Sequence, residues 1–121
     1  MKKTKAVFEV VQDKLLEDLI RGVYKPGEAV PDRDELRRIF RTNRETIDRA
    51  LQQMEAGGLI DQADGQLTFT RDHDLLSRKR EEIALAYFGD FLEKAGALGM
   101  DKMAILRMIL NKGGLNDQAR G

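Results

Sequence analysis

The chain has 121 residues, 35% of them charged and 41% hydrophobic, and its 21 basic and 21 acidic side chains leave no net charge. This length accommodates one compact domain or a small domain with an appendage. The composition excludes a disordered chain and a membrane-embedded one, since no run approaches the roughly 18 apolar residues that cross a bilayer. The absence of cysteine excludes a disulfide framework and a thiolate site, so we expect a cytoplasmic protein. The basic start is followed by an amphipathic helix and not by the continuous apolar region of a signal peptide, so we expect no signal peptide.

The first predicted element is an amphipathic helix from Val7 to Arg21, followed by Gly22, where a helix C-terminus favours glycine. Its apolar residues recur at the helical period, at Phe8, Val11, Leu15 and Leu19. Pro26 and Gly27 then predict a turn, because proline presets φ and glycine supplies a positive φ. We expect Ala29–Val30 to form a short strand before the next helix.

Two short helices with a tight break between them follow. Asp32 is suited to cap the first, which covers about Arg33 to Phe40. Asn43 or Thr42 caps the second, which ends at Gly57–Gly58. The second helix keeps its apolar residues on one side and polar residues on the other. Two such helices at a steep angle form a helix-turn-helix unit, whose second helix fits a DNA major groove.

A β-hairpin is predicted after the second of these helices. Residues 59–62 and 66–70 are typical of two strands, and Asp64–Gly65 between alternating segments favours a tight turn. A hairpin in this place is the wing of a winged helix-turn-helix domain, which we assign to residues 1–72.

The remaining residues, 73–121, predict a helical arm. A long helix is expected from Leu75 to Ala95, capped by Asp74 and stopped by Gly96. A shorter helix ends near Leu110, before a frayed tail. The expected fold class is therefore mostly α with a small β-hairpin (α+β), in which a winged helix-turn-helix domain precedes a two-helix dimerisation arm.

The shorter helix is apolar around nearly its whole circumference, so it needs cover on more than one side, which a second subunit provides. The residues predicted at the interface of a homodimer are Tyr87, Phe88, Phe91, Met103, Ile105, Leu106, Ile109 and Leu110. The three aromatic side chains also suit a pocket for an unidentified small-molecule effector, although packing in a dimer core is favoured.

The order of elements and a set of residues resemble the GntR family of bacterial transcription regulators. The resemblance covers about residues 7–71 and is carried by Pro26-Gly27, Glu35-Leu36, Asn43-Arg44, Thr46-Ile47, Ala50-Leu51, Gly58-Leu59-Ile60 and Thr68-Phe69. The short arm resembles the YtrA-type branch of that family. These resemblances imply a winged helix, dimerisation across the arms and recognition of a palindromic operator.

The resemblance assigns DNA contacts to the second helix of the helix-turn-helix. Arg44 falls on the family's base-reading arginine and Thr46 on its phosphate-binding threonine. An arginine near the start of such a helix can donate to guanine O6 and N7 together. Arg44 has an alternative role in an exposed salt bridge to Asp48, and Asn43 favours a capping role. The predicted DNA-binding residues are Arg33, Arg41, Asn43, Arg44, Thr46, Arg49 and Gln66.

The sequence departs from the family on this DNA surface. Asp34 and Asp48 stand where the family usually has arginines, and Gly65-Gln66-Leu67 stands where it has Gly-Arg-Gly. An acid at a phosphate contact repels the duplex. Two functions therefore stay open: a DNA-binding repressor with an unusual operator, and a winged-helix adaptor between proteins with weak or lost DNA binding. A strongly salt-dependent DNA affinity would separate them.

An enzyme or a metal protein has little support. His73 is the only histidine and lies in a linker without a paired nucleophile. Asp72 and Asp74 beside it would hold a metal only weakly. We predict no catalytic residue, no metal and no cofactor. The predicted partners are double-stranded DNA and a second copy of the chain, with no membrane.

Overall fold

The structure, a computed structural model, describes residues 5–112. Within this range it contains five helices and one two-stranded antiparallel sheet, which confirms the predicted fold class. The elements are α1 (Val7–Arg21), α2 (Arg33–Phe40), α3 (Arg44–Ala56), β1 (Ile60–Ala63), β2 (Gln66–Phe69), α4 (His73–Ala97) and α5 (Lys102–Lys112). None of the helices in the described range is long and apolar enough to cross a membrane.

The first of two compact units ends at Ser77, a little beyond the predicted division after residue 72. Its core joins the apolar faces of α1, α2 and α3 to the hairpin, and its most deeply buried side chains include Leu15, Leu36, Ile47 and Phe69. This shared core fixes α3 and the hairpin with respect to each other.

Side-chain caps set the starts of α2 and α3. Asp32 Oδ1 accepts a hydrogen bond from the backbone N–H of Glu35 at 2.8 Å, and Asn43 Oδ1 accepts one from Thr46 N–H at 2.8 Å. Asn43, not Thr42, is therefore the cap of α3. The turn between the helices is closed by a residue with left-handed backbone, Arg41, at φ 53°.

The hairpin has a two-residue loop. Ala63 pairs with Gln66, and Asp64 and Gly65 between them both have positive φ, 53° and 76°. Two positive φ values are the mark of a type I′ turn, whose twist matches that of the flanking strands. β1 begins one residue later than predicted and β2 ends one residue earlier.

The predicted strand at Ala29–Val30 is reduced to a single bridge between Ala29 and Thr68. Val30 N–H still donates to Leu67 O at 2.9 Å. The pairing goes no further because Pro31 follows immediately and has no N–H to donate.

Both predicted ends of the long helix are wrong. Asp72 caps α4, because its Oδ1 accepts a hydrogen bond from Leu75 N–H at 3.0 Å, and Asp74 lies within the helix. At the other end α4 continues through Gly96, and the first positive φ after it is at Gly99, 91°.

The second unit comprises the rest of α4 and α5. Asp101 caps α5 by accepting a hydrogen bond from Ala104 N–H at 2.8 Å. Ala95 and Ile105 are the buried apolar residues of this unit. α5 reaches Lys112, past its predicted end, and the rest of the predicted frayed tail lies outside the described residues.

Candidate nucleic-acid interface

The start of α3 carries the residues with the strongest predicted DNA contacts. The side-chain oxygen of Asn43 is engaged in capping the helix through Thr46. Arg44 is the first residue of α3, and its side chain is 70% exposed. The unpaired N–H groups and the positive dipole end of a helix N-terminus favour a negative group beside it. The start of α3 is therefore suited to approach a phosphate backbone.

A cleft of about 370 Å³ lies between the start of α2, the start of α3 and the hairpin turn. Arg33 and Asp34 line it from α2, Arg44 lines it from α3, and Gly65 and Gln66 line it from the turn. The fold therefore brings together three predicted DNA-binding side chains that are distant in sequence, and all three are exposed.

Asp48 is paired with two of the arginines at this cleft. Its Oδ1 accepts a hydrogen bond from Arg33 Nε, and its Oδ2 is 3.9 Å from Arg44 Nε. The distance from Asp48 to Arg44 is long and both groups are exposed, so this contact restrains the Arg44 side chain only weakly. Arg33 is thus the main partner of Asp48, an ion pair that no sequence pattern indicated because it joins residues 15 positions apart on different helices.

Asp34, which lines the cleft, also has an arginine partner. Arg37 Nη2 is 3.2 Å from Asp34 Oδ1, one turn apart on α2. Such exposed pairs contribute little to stability. They offset the negative charge that Asp34 and Asp48 would otherwise present, so the repulsion expected from these two acids is reduced.

Two of the predicted DNA-binding arginines do not line this cleft. Arg49 places its guanidinium over the ring of Phe8 on α1, with Cζ 4.1 Å from the ring centroid, in a cation–π contact. Five residues along a helix turn a side chain by about 140°, which directs Arg49 away from the side of Arg44. Arg41 lies in the turn between α2 and α3 and is exposed.

The second unit has a candidate surface of a different kind. Six of the residues predicted for a dimer interface are exposed there by 37% to 59%: Tyr87, Phe88, Phe91, Met103, Leu106 and Leu110. A groove of about 580 Å³, lined mainly by apolar side chains, includes Phe88, Leu92 and Leu106. Ile109 is half-buried, and Ile105 is only 5% exposed, so Ile105 already packs inside its own chain.

Residues 5–112 contain no group of three or more histidine, aspartate and glutamate side chains placed to hold a metal ion. His73 is the exposed first residue of α4.

The sequence profile of the bacterial regulatory proteins of the gntR family matches residues 8–69, more than half of the chain. The chain belongs to the GntR family. The match extends from α1 through β2, so it includes every element that lines the cleft. The N-terminal unit is accordingly the DNA-binding domain of a transcriptional regulator.

Relatives of this GntR-family chain are regulators as well. The probable fructoselysine utilization operon transcriptional repressor of Escherichia coli strain K12 is 29% identical over 99 residues, which cover 80% of this chain and 39% of that protein. The chain therefore spans about two fifths of the length of this curated relative. A transcriptional regulator of Mycobacterium tuberculosis, Mce2R, is 31% identical over 68 residues, which cover 56% of this chain and 28% of that protein.

Solved structures share the winged helix-turn-helix fold. A GntR family transcriptional regulator from Listeria monocytogenes has a TM-score of 0.76 at 21% identity, covering 90% of this chain and 96% of that one. YtrA from Sulfolobus acidocaldarius has a TM-score of 0.52 at 18% identity, covering 100% and 97%. The Listeria likeness extends over most of both chains, so the shared fold includes arm helices as well as the DNA-binding domain.

Proposed function

We propose that this GntR-family regulator is a sequence-specific repressor that acts as a homodimer on a palindromic operator. The observation that carries the proposal is Arg44, exposed at the start of α3 and lining one cleft with Arg33 and Gln66. With α3 in the major groove, Arg44 donates to a guanine and Thr46 holds a phosphate. Repression, by covering a promoter, is supported by the repressor among the relatives.

The homodimer is supported by the apolar surface of the second unit. Exposed aromatic and aliphatic side chains on both of its helices lose contact with water when a second copy covers them. Two copies would place their α3 helices in successive major grooves, about 10 base pairs apart. Because both half-sites are then bound together, a palindrome is bound more tightly than a single half-site.

The alternative function, an adaptor between proteins, is favoured by one observation: three acids, Asp34, Asp48 and Asp64, lie near the cleft. The arginine partners of Asp34 and Asp48 weaken that argument, because a paired carboxylate repels DNA less than a lone one. DNA binding is therefore the function that the charges of the cleft support better.

Selection from randomised duplex DNA at two salt concentrations tests DNA recognition. We expect an enriched palindrome whose affinity falls steeply with salt. Arg44→Ala should cost about 1–3 kcal/mol of binding and relax one base position in each half-site. Arg21→Ala, which removes an exposed arginine at the end of α1, is the matched control and should leave the motif unchanged.

Two results would contradict this proposal in different ways. An equal loss of affinity by Arg44→Ala on every sequence would refute its base-reading role. No enrichment by the unsubstituted chain, with weak binding even at low salt, would favour the adaptor.

A charge in the apolar surface tests the homodimer. Leu106→Glu should yield monomers in sedimentation equilibrium that bind a half-site but bind the palindrome poorly. Lys112→Glu, at the end of the same helix, introduces the same side chain outside the predicted interface and should remain dimeric. Ile105 is unsuitable for this test because a charge there would disturb packing within the chain. A persistent dimer of the Leu106→Glu variant would refute the proposed interface.

A further inference from the structure

Asp48 shares a face of α3 with Arg44, because it lies one helical turn later. Its side chain is 36% exposed. Oδ1 accepts a hydrogen bond from Arg33 Nε. Among the described residues Oδ2 has no partner within hydrogen-bond distance, since Arg44 Nε is 3.9 Å away. Oδ2 therefore retains its capacity to accept a hydrogen bond from outside the protein.

The surrounding charges permit this carboxylate to approach DNA. Alone, it would be repelled by the phosphates. Arg33, Arg44 and Asp48 together carry a single net positive charge, so the cluster as a whole is attracted to the duplex. The hydrogen bond from Arg33 also restricts rotation of the carboxylate, which keeps Oδ2 as the available acceptor.

We propose that Asp48 is a specificity-determining residue that reads cytosine, an inference that rests on the proposed DNA-binding function. Cytosine presents its exocyclic N4 amine as a donor in the major groove, and carboxylates are suited to accept from it. Arg33 is a positioning residue for this contact. The competing role for Asp48 is to hold Arg33 against a phosphate, which would alter affinity for all sequences and the preference for none.

Selection from randomised duplexes by the full chain and three variants separates these roles. The unsubstituted chain should enrich cytosine at one symmetry-related position in each half-site, and Asp48→Ala should lose that preference by about tenfold. Asp48→Asn keeps an oxygen for Arg33 but replaces the Oδ2 acceptor with an amide donor. A donor cannot accept from cytosine N4, so this variant should also lose the preference for cytosine.

Asp13→Asn is the matched control, because it removes an exposed acid on α1 that is paired with Lys5 and does not line the cleft. Its motif should be unchanged, and a thermal melt should show each variant to be folded. A motif that Asp48→Ala leaves unchanged would overturn this inference and leave the proposed function intact. No enrichment by the unsubstituted chain would overturn both. A loss of affinity without any change of preferred base would assign Asp48 the competing role of holding Arg33.

Discussion

The two units of this regulator differ in where their apolar residues lie. The DNA-binding unit has a core in which Leu36, Ile47 and Phe69 are almost fully buried, and its candidate DNA-binding residues are polar. The second unit leaves large apolar side chains such as Phe88 and Leu106 exposed. The first unit therefore has the core of an independently folded domain, whereas the second presents a surface of the kind that a partner chain covers.

Truncating one leucine in each unit tests this comparison most strongly. Leu36→Ala removes a fully buried side chain and should cost about 2–5 kcal/mol of unfolding free energy. Leu106→Ala removes one that is 45% exposed, so its cost within the chain should be small. Urea denaturation monitored by circular dichroism measures both.

Protein concentration separates the two effects further. If Leu106 lies in a dimer interface, the cost of Leu106→Ala should change with concentration, because association adds to the apparent stability. The cost of Leu36→Ala should be present at every concentration. Equal costs for both variants, independent of concentration, would contradict the distinction between an enclosed core and an exposed interface.

The sequence predicted most of the first unit because its signals are local. Apolar periodicity placed Leu15 and Leu19 on one face of α1, and both are buried. The side chain of Asp32 caps α2 as expected, and Asp64–Gly65 forms the predicted turn. The cap of α4 was misplaced, since Asp72 and Asp74 are both suitable residues two positions apart and only the hydrogen bond distinguishes them.

The site was less predictable because it depends on tertiary contacts. The Arg33–Asp48 pair joins two helices, and the cation–π contact of Arg49 depends on where α1 packs. Apolar residues all around α5 predicted cover by a second subunit and placed Ile105 in that interface. The structure buries Ile105 within its own chain, so the pattern alone did not distinguish cover by the same chain from cover by a second one.

A glycine with left-handed backbone in the DNA-binding unit should resist substitution. Gly27 has φ +84°, and a Cβ there would meet the guanidinium of Arg71, which is the end of an exposed side chain and can move aside. We expect Gly27→Ala to lower the unfolding free energy by about 1–3 kcal/mol. Gly22→Ala is the matched control, with a similar φ of +88° but open space around the added carbon.

The difference between these two glycine variants measures the cost of displacing Arg71 apart from the backbone strain. The two costs should be similar, and adding Arg71→Ala to Gly27→Ala should restore little, as a double-mutant cycle by urea denaturation would show. A much larger cost for Gly27→Ala that Arg71→Ala recovers would mean that the guanidinium is held in place.

Replacing Arg41 by glycine, in the turn between α2 and α3, should stabilise the protein, although glycine destabilises the interior of a helix. Arg41 adopts φ 53°, which a side chain other than glycine tolerates at a cost of about 1–2 kcal/mol. Arg41→Gly relieves this strain, but glycine also gives the unfolded chain more conformational entropy, which opposes folding. The net effect should be a rise of up to about 1 kcal/mol in the unfolding free energy. Arg38→Gly, within α2, should lower it by about 1 kcal/mol.

The same variant tests whether Arg41 contacts DNA. A protein that is more stable but binds its operator less tightly assigns Arg41 a phosphate contact, and a smaller salt dependence should accompany the loss. Unchanged affinity would remove Arg41 from the predicted DNA-binding residues. A loss of stability in Arg41→Gly would contradict the strain argument.

The smallest expected effect concerns Tyr24, whose ring stacks on Phe69 at a centroid distance of 4.9 Å. Burial, and secondarily the charge of Asp18, raise the pKa of the Tyr24 phenol above its ordinary value of 10.0. The unfolded chain therefore loses this proton at lower pH than the folded protein does. The resulting stability is fully present below about pH 10 and is lost as pH rises through the folded-state pKa.

Absorbance of the phenolate in Tyr87→Phe, which leaves Tyr24 as the sole tyrosine, measures that pKa directly. The midpoint should lie above 10, and Tyr24→Phe should remove this contribution to alkaline destabilisation. A midpoint at or below 10 would mean that Tyr24 is more hydrated than its stacking on Phe69 implies.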